Sequence, residues 1–158
     1  MTFTRLMVGI DFSETSVIAL EHGKQMAREA GANLEVLHVF QPPPIPPIAT
    51  ALPDGGTAPT TIVEAYDASD ALHASEHALD ELLRAHDMEG LAVPMVRAGD
   101  PALTIAETAL DEKRDLVIVG THGRSGLSRV FLGSVAEKVI RHSPCPVLVI
   151  PRPPEGAS

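Results

Sequence analysis

Short apolar runs alternate along the chain with longer stretches in which apolar or small residues recur at helical spacing. Leu6-Met7-Val8-Gly9-Ile10 reads as a first strand. Asp11-Phe12-Ser13 makes a turn, and Ser13 suits the cap of a following helix. Ser16, Ala19, Leu20, Gly23, Ala27 and Ala30 then mark one buried helical face, which Gly31 can end in the left-handed conformation. Leu34 to Phe40 forms a second strand, with His38 read as a packed histidine. Between Gln41 and Pro59 stand seven prolines and Gly55-Gly56, so residues 41–60 are predicted to be a long surface loop without regular structure. A long helix follows, with Ala65, Ala68, Leu72, Ser75, Leu79, Leu82 and Leu83 near one face. His73 and His77 sit one turn apart on it with no evident third ligand, as on a solvated face.

Leu91 to Arg97 is a third strand, and Pro94 within it points to a sheet edge. Asp100-Pro101 supplies a capping carboxylate and a proline at the first helical position. The buried face of that helix is predicted to be Leu103, Ala106 and Leu110, widened by Ile105 and Ala109, with Glu107 toward solvent. Leu116 to Val119 is apolar without alternation, as expected of a fourth strand covered on both faces. Ser134 to His142 reads as the last helix and Pro146 to Ile150 as a fifth strand. Residues 152–158 are expected to be a disordered tail.

This alternation predicts one α/β domain over residues 1–151, an open five-stranded parallel sheet with helices on both faces. A net charge of −9 and a pI near 5.1 exclude non-specific binding to nucleic acid or to an anionic membrane. No apolar run approaches the ~18 residues that span a bilayer. Met1-Thr2-Phe3-Thr4-Arg5 lacks the apolar stretch of a signal peptide. The expectation is a cytoplasmic protein without membrane insertion. Cys145 is the only cysteine, which excludes an intrachain disulfide, and its place between Pro144 and Pro146 suits a small packed residue.

The candidate chemistry lies after the fourth strand: Gly120-Thr121-His122-Gly123, nine residues, then Gly133-Ser134. Glycines let backbone N–H groups approach a ligand, and a helix start adds unpaired donors and the positive end of a dipole. Together they describe an anion cradle, suited to the phosphates of a nucleotide. In open α/β sheets ligands sit beyond the carboxyl ends of the strands, where the strand order reverses. If the first and fourth strands are neighbours there, Asp11 faces Gly120 across one crevice. Its carboxylate can accept from ribose hydroxyls or help hold a metal that bridges phosphates, and it also suits a turn or a cap. Neither G-x-x-x-x-G-K-[ST] nor G-x-G-x-x-G occurs, so neither a P-loop NTPase nor a dinucleotide fold is indicated. His122 suits proton transfer or a loop-shaping hydrogen bond, whereas Ser125 and Ser134 have no evident base.

The turn Gly9-Ile10-Asp11-Phe12-Ser13, the turn Gly99-Asp100-Pro101 and the run Val119 to Ile150 resemble the universal stress protein family in its nucleotide-binding form. The resemblance implies the strand order 3-2-1-4-5 and ATP, or AMP, in the crevice, with Mg2+ carried by the phosphates. It places Asp11 at the ribose or the metal-phosphate region and the backbone of Val39 at the adenine edge. It sets Val119 and Gly120 along the sugar, and Gly123, Gly133, Ser134 and Val135 as phosphate donors. Arg124 and Arg129 lie in the glycine loop within reach of phosphates. The family also implies a homodimer, and the uncharged edge Val147 to Ile150 gives a physical reason for one. Three functions are weighed: a dimeric nucleotide-binding stress regulator with an unknown protein partner, a slow ATPase or phosphotransferase, and a dimeric interaction protein with a vestigial site. The intact glycine spacing speaks against the third.

Overall fold

A computed structural model describes residues 2–42, 48–51, 57–60, 68–121 and 132–152. Its elements run β1 (Arg5–Ile10), α1 (Glu14–Ala30), β2 (Asn33–Phe40), β3 (Ile48–Ala51), β4 (Thr57–Thr60), α2 (Ala68–Ala85), β5 (Ala92–Ala98), α3 (Pro101–Asp111), β6 (Leu116–Gly120), α4 (Ser134–His142) and β7 (Val147–Ile150). Five strands pair in parallel in the order β5-β2-β1-β6-β7. Numbering those five alone gives the expected order 3-2-1-4-5. The chain builds outward from β1 through β2 to β5, then crosses back to β6 on the other side of β1. The order therefore reverses between β1 and β6, where Val8 faces Ile118.

The alternation of β1 divides the interior in two. Leu6, Val8 and Ile10 point to α1 and α2 and pack with Ala19, Leu20, Leu79 and Leu83. Met7 points the other way, where Leu37, Val117 and Val119 meet Ala102, Ile105 and Ala109 of α3 and Ala136 and Val139 of α4. Leu79 is fully buried, so truncating it to alanine costs about 2–5 kcal/mol. α1 is capped by Ser13, whose side chain accepts from the Ser16 amide, and ends at Gly31 with φ 62°. Ala30, assigned to its buried face from the sequence, is exposed.

Three further features depart from the sequence reading. The proline-rich stretch contains a two-stranded antiparallel ladder, β3 with β4, in which Ala49 faces Pro59. Each strand of an isolated pair has an outward edge, where a missing N–H is harmless. On α3 the buried positions are Ala102, Ile105, Ala106, Thr108 and Ala109, while Leu103 and Leu110 are 46% and 63% exposed. Two helices share that face of the sheet, and the alanine side of α3 is the one that allows close packing. Finally, Glu35 is buried within apolar β2, where the Arg114 guanidinium pairs with it. Burial raises the Glu35 pKa, and the nearby Arg114 charge only partly opposes this. Pro94 does lie in an edge strand, β5, and β7 forms the opposite edge. The tail from residue 153 and Ala65 lie outside the described residues.

Candidate functional site

At the carboxyl ends of β1, β2 and β6 a cleft of about 880 Å³ opens at the point where the strand order reverses. Its floor is the β1 turn, Gly9 to Phe12, with the end of β2. One wall is the small-residue face of α2, Ala74, Ser75 and Ala78. The other is made by Pro101 and Ile105 of α3 and by the start of α4. Asp11, Val39, Val119, Gly120, Gly133, Ser134 and Val135, singled out from the sequence, all line it. Gly123, Arg124, Arg129, His122 and Ser125 lie outside the described residues.

Asp11 follows the last residue of β1 and is half-buried. Its Oδ1 accepts from the Ser13 amide at 3.0 Å and from Ser13 Oγ at 2.5 Å, so the turn role and the cleft position coincide. Phe12 has φ 63°, a left-handed conformation that costs a residue with a Cβ roughly 1–2 kcal/mol. His38 meets it from β2: the ring centroids are 4.6 Å apart, tilted by 51°. His38 Nδ1 lies 2.8 Å from the Ile10 carbonyl oxygen. A carbonyl only accepts, so Nδ1 carries a proton. His38 is 8% exposed, which agrees with a packed histidine.

Val39 and Val119 bury their side chains in the interior between the sheet and α3–α4, leaving mainly backbone to the cleft. Gly120 owes its lack of a side chain to a neighbour within the fold. A Cβ there would stand 2.8 Å from the Thr15 carbonyl carbon and 2.9 Å from its oxygen, in the first turn of α1. Gly133 is the N-cap of α4, with φ −60° and ψ 147° and no side-chain cap. Its amide donates to the Thr121 oxygen at 2.7 Å, so the phosphate-donor role given to Gly133 by resemblance meets an amide already in use. The donors at this helix start are the first-turn amides of Ser134, Val135 and Ala136, which have no intrahelical acceptor. They and the dipole make this wall positive, in the cleft that Asp11 also lines.

Phe12, Ser16, the α2 wall and the α3 wall line the cleft but were not assigned to the site from the sequence. Only the spacing of Ala74 and Ala78, one turn apart, hinted at a wall open enough to admit a ligand. His73 and His77 are exposed on α2, outside the cleft, with His77 Nδ1 3.6 Å from Glu81. Cys145 is partly buried against the interior under α4, and its amide donates to Ser143 Oγ at 3.3 Å.

The family model described as the universal stress protein family matches residues 2–151. The chain belongs to the universal stress protein family. Universal stress protein MJ0531 of Methanocaldococcus jannaschii is 31% identical over 154 residues, covering 96% of this chain and 84% of its own. The solved structure of hypothetical protein MJ0577, from the same organism, superposes with a TM-score of 0.75 at 28% identity, covering 98% of this chain and 100% of its own. A family member from Arabidopsis thaliana solved with AMP bound shares the fold, with a TM-score of 0.60 at 20% identity over 98% of this chain and 96% of its own. No helix among the described residues is long and apolar enough to cross a membrane.

Proposed function

We propose that this universal stress protein binds an adenine nucleotide, ATP or AMP, in the cleft at the β1–β6 reversal and acts as a dimeric regulator of a stress response. The observation that carries the reading is that Asp11 and the uncapped start of α4 line one cleft. Phosphate belongs at the α4 amides, where the dipole and unpaired donors favour negative charge. The Asp11 carboxylate would repel bare phosphate, so it belongs at the ribose hydroxyls or beside Mg2+ carried in with the phosphates. Val39 and Val119 present backbone to the base and sugar, and the resemblance assigns Gly123 and Arg124 to phosphate binding. The cleft volume lies within the range of small-molecule sites, about 300–1,000 Å³. The AMP-bound relative lends support from the same fold. Titration calorimetry with ATP and AMP tests the reading. Binding is expected, and Asp11→Ala should weaken it by about tenfold or more, the worth of a charge-assisted hydrogen bond. Absence of heat with either nucleotide, or unchanged affinity in Asp11→Ala, would overturn it.

For the dimer, β7 is the exposed edge. Pro146 and Ile150 direct their carbonyls to the amides of Val117 and Thr121 beside β6. In a parallel ladder the N–H and C=O of one residue point the same way, so Val147 and Val149 point theirs outward. Two such edges can pair about a twofold axis. Val149→Pro removes an outward donor and spares the bonds to β6. It is expected to shift sedimentation from dimer to monomer, and a variant that stays dimeric refutes this edge as the interface.

A further inference from the structure

From the packing around the β1 turn, we infer that His38 is a positioning residue for nucleotide recognition, holding the strained Phe12 turn so that the Asp11 carboxylate is aimed into the cleft. This rests on the nucleotide reading above for its ligand. The geometry of the turn is independent of it.

Three observations converge. The β1 turn carries a left-handed phenylalanine, a conformation that persists only where surrounding contacts over-determine it. Phe12 packs against the core beneath α1, and two further contacts at this turn come from one side chain. His38 Nδ1 donates to the Ile10 carbonyl, the last of β1, and the His38 ring lies against the Phe12 ring. Ile10 and Phe12 flank Asp11, so His38 grips the chain on either side of the carboxylate without taking its oxygens. The register makes this possible, because His38 is the β2 residue paired with Ile10. On the other side of the turn the Ser13 amide and hydroxyl hold Asp11 Oδ1. The carboxylate is thus fixed through backbone on one side and through hydrogen bonds on the other. A preorganised acceptor of this kind reads a ribose diol better than a swinging one.

The test uses the whole chain and two readouts. The first is the affinity ratio of ATP to 2′,3′-dideoxy-ATP, which lacks both ribose hydroxyls. The second is hydrogen exchange of the Ser13 amide without ligand, which reports directly on the Asp11 Oδ1 contact. His38→Leu should lower the ratio by about tenfold and speed exchange at Ser13, with little change in exchange at Leu20 or Leu79. Should His38→Leu not fold, His38→Asn carries the test: it keeps an N–H donor but removes the ring, and a smaller fall in both readouts is expected. A folded variant that keeps either the native ratio or the native protection overturns the inference. If the unmodified protein does not distinguish the two nucleotides, the ribose role of Asp11 in the proposed function fails. The Ser13 exchange then still decides whether His38 holds the turn.

Discussion

α3 and α4 lie side by side on one face of the sheet, and they begin differently. Asp100 and Gly133 occupy the same N-cap position with nearly the same backbone, φ −71° and ψ 123° against φ −60° and ψ 147°. The Asp100 carboxylate accepts from the amides of Ala102 and Leu103, both at 3.0 Å. The corresponding amides of α4, on Val135 and Ala136, have no side-chain cap. A Gly N-cap in place of a side-chain cap costs only about a few tenths of a kcal/mol, so α4 gives up a little local stability and leaves its donors open. The difference teaches where the fold satisfies itself and where it leaves donors for something else. Both helices start at the cleft, but the first turn of α3 is closed by a side chain and that of α4 is open.

The sharpest way to break this contrast is to make α4 resemble α3. Gly133→Asp places a carboxylate where the backbone already suits a cap. Nucleotide affinity is expected to fall by about a hundredfold, from the lost donors and the like charge, while thermal stability rises by about 0.5–1 kcal/mol. Loss of binding together with loss of stability would show disruption instead of capping, and retained binding would remove α4 from the site. The reverse change, Asp100→Ala, opens α3. It should cost about 1–2 kcal/mol in denaturant unfolding and leave nucleotide affinity within a factor of about two. A large loss of affinity would mean that the α3 cap also shapes the cleft.

The smallest effect concerns Asp115, another carboxylate that serves backbone amides, at the opposite end of the sheet. It accepts from the amides of Thr4 and Arg5 at 2.8 and 2.9 Å and from Thr4 Oγ1 at 3.0 Å. Partial burial pushes its pKa up, but these bonds together outweigh that and hold it below its ordinary value of 3.8. The folded state then binds fewer protons, so this contribution is present above pH 3.8 and is lost as pH falls through the folded value. Asp115→Asn is expected to flatten the acid limb of stability below that pH. An unchanged acid limb in urea melts would deny Asp115 that role.

Most of the frame was legible because local signals agreed with one another. Ser13, Gly31 and the Asp100-Pro101 pair marked helix ends that the structure keeps. Pro94 marked an edge strand, and the apolar run of β6 marked a strand covered on both sides. Where the reading failed, partners distant in sequence decided. Helical spacing could not tell that α3 would turn its alanines inward and leave Leu103 and Leu110 outside, since that depends on how close its neighbours come. Glu35 has the pattern of an exposed position within a strand, and only the return of the chain at Arg114 makes its burial tolerable. At the site, glycine spacing pointed to the cleft at the β1–β6 reversal but gave Gly120 an incomplete reason. Of the positions that shape the floor, Phe12 was marked only as part of the β1 turn and His38 only as a packed strand residue, and neither was assigned to the site from the sequence.

The contact between Gly120 and Thr15 sets how this pocket can be altered. With main-chain atoms that near, any added carbon at position 120 must displace the first turn of α1, and with it the segment that carries Asp11. Mutational tolerance at that seam should therefore be very low, whatever ligand is bound. Room for a larger ligand must come from the α2 wall, where Ala74 and Ala78 stand on a helix free of that constraint. Diversification of ligand preference, in nature or in a library, is accordingly to be sought on α2.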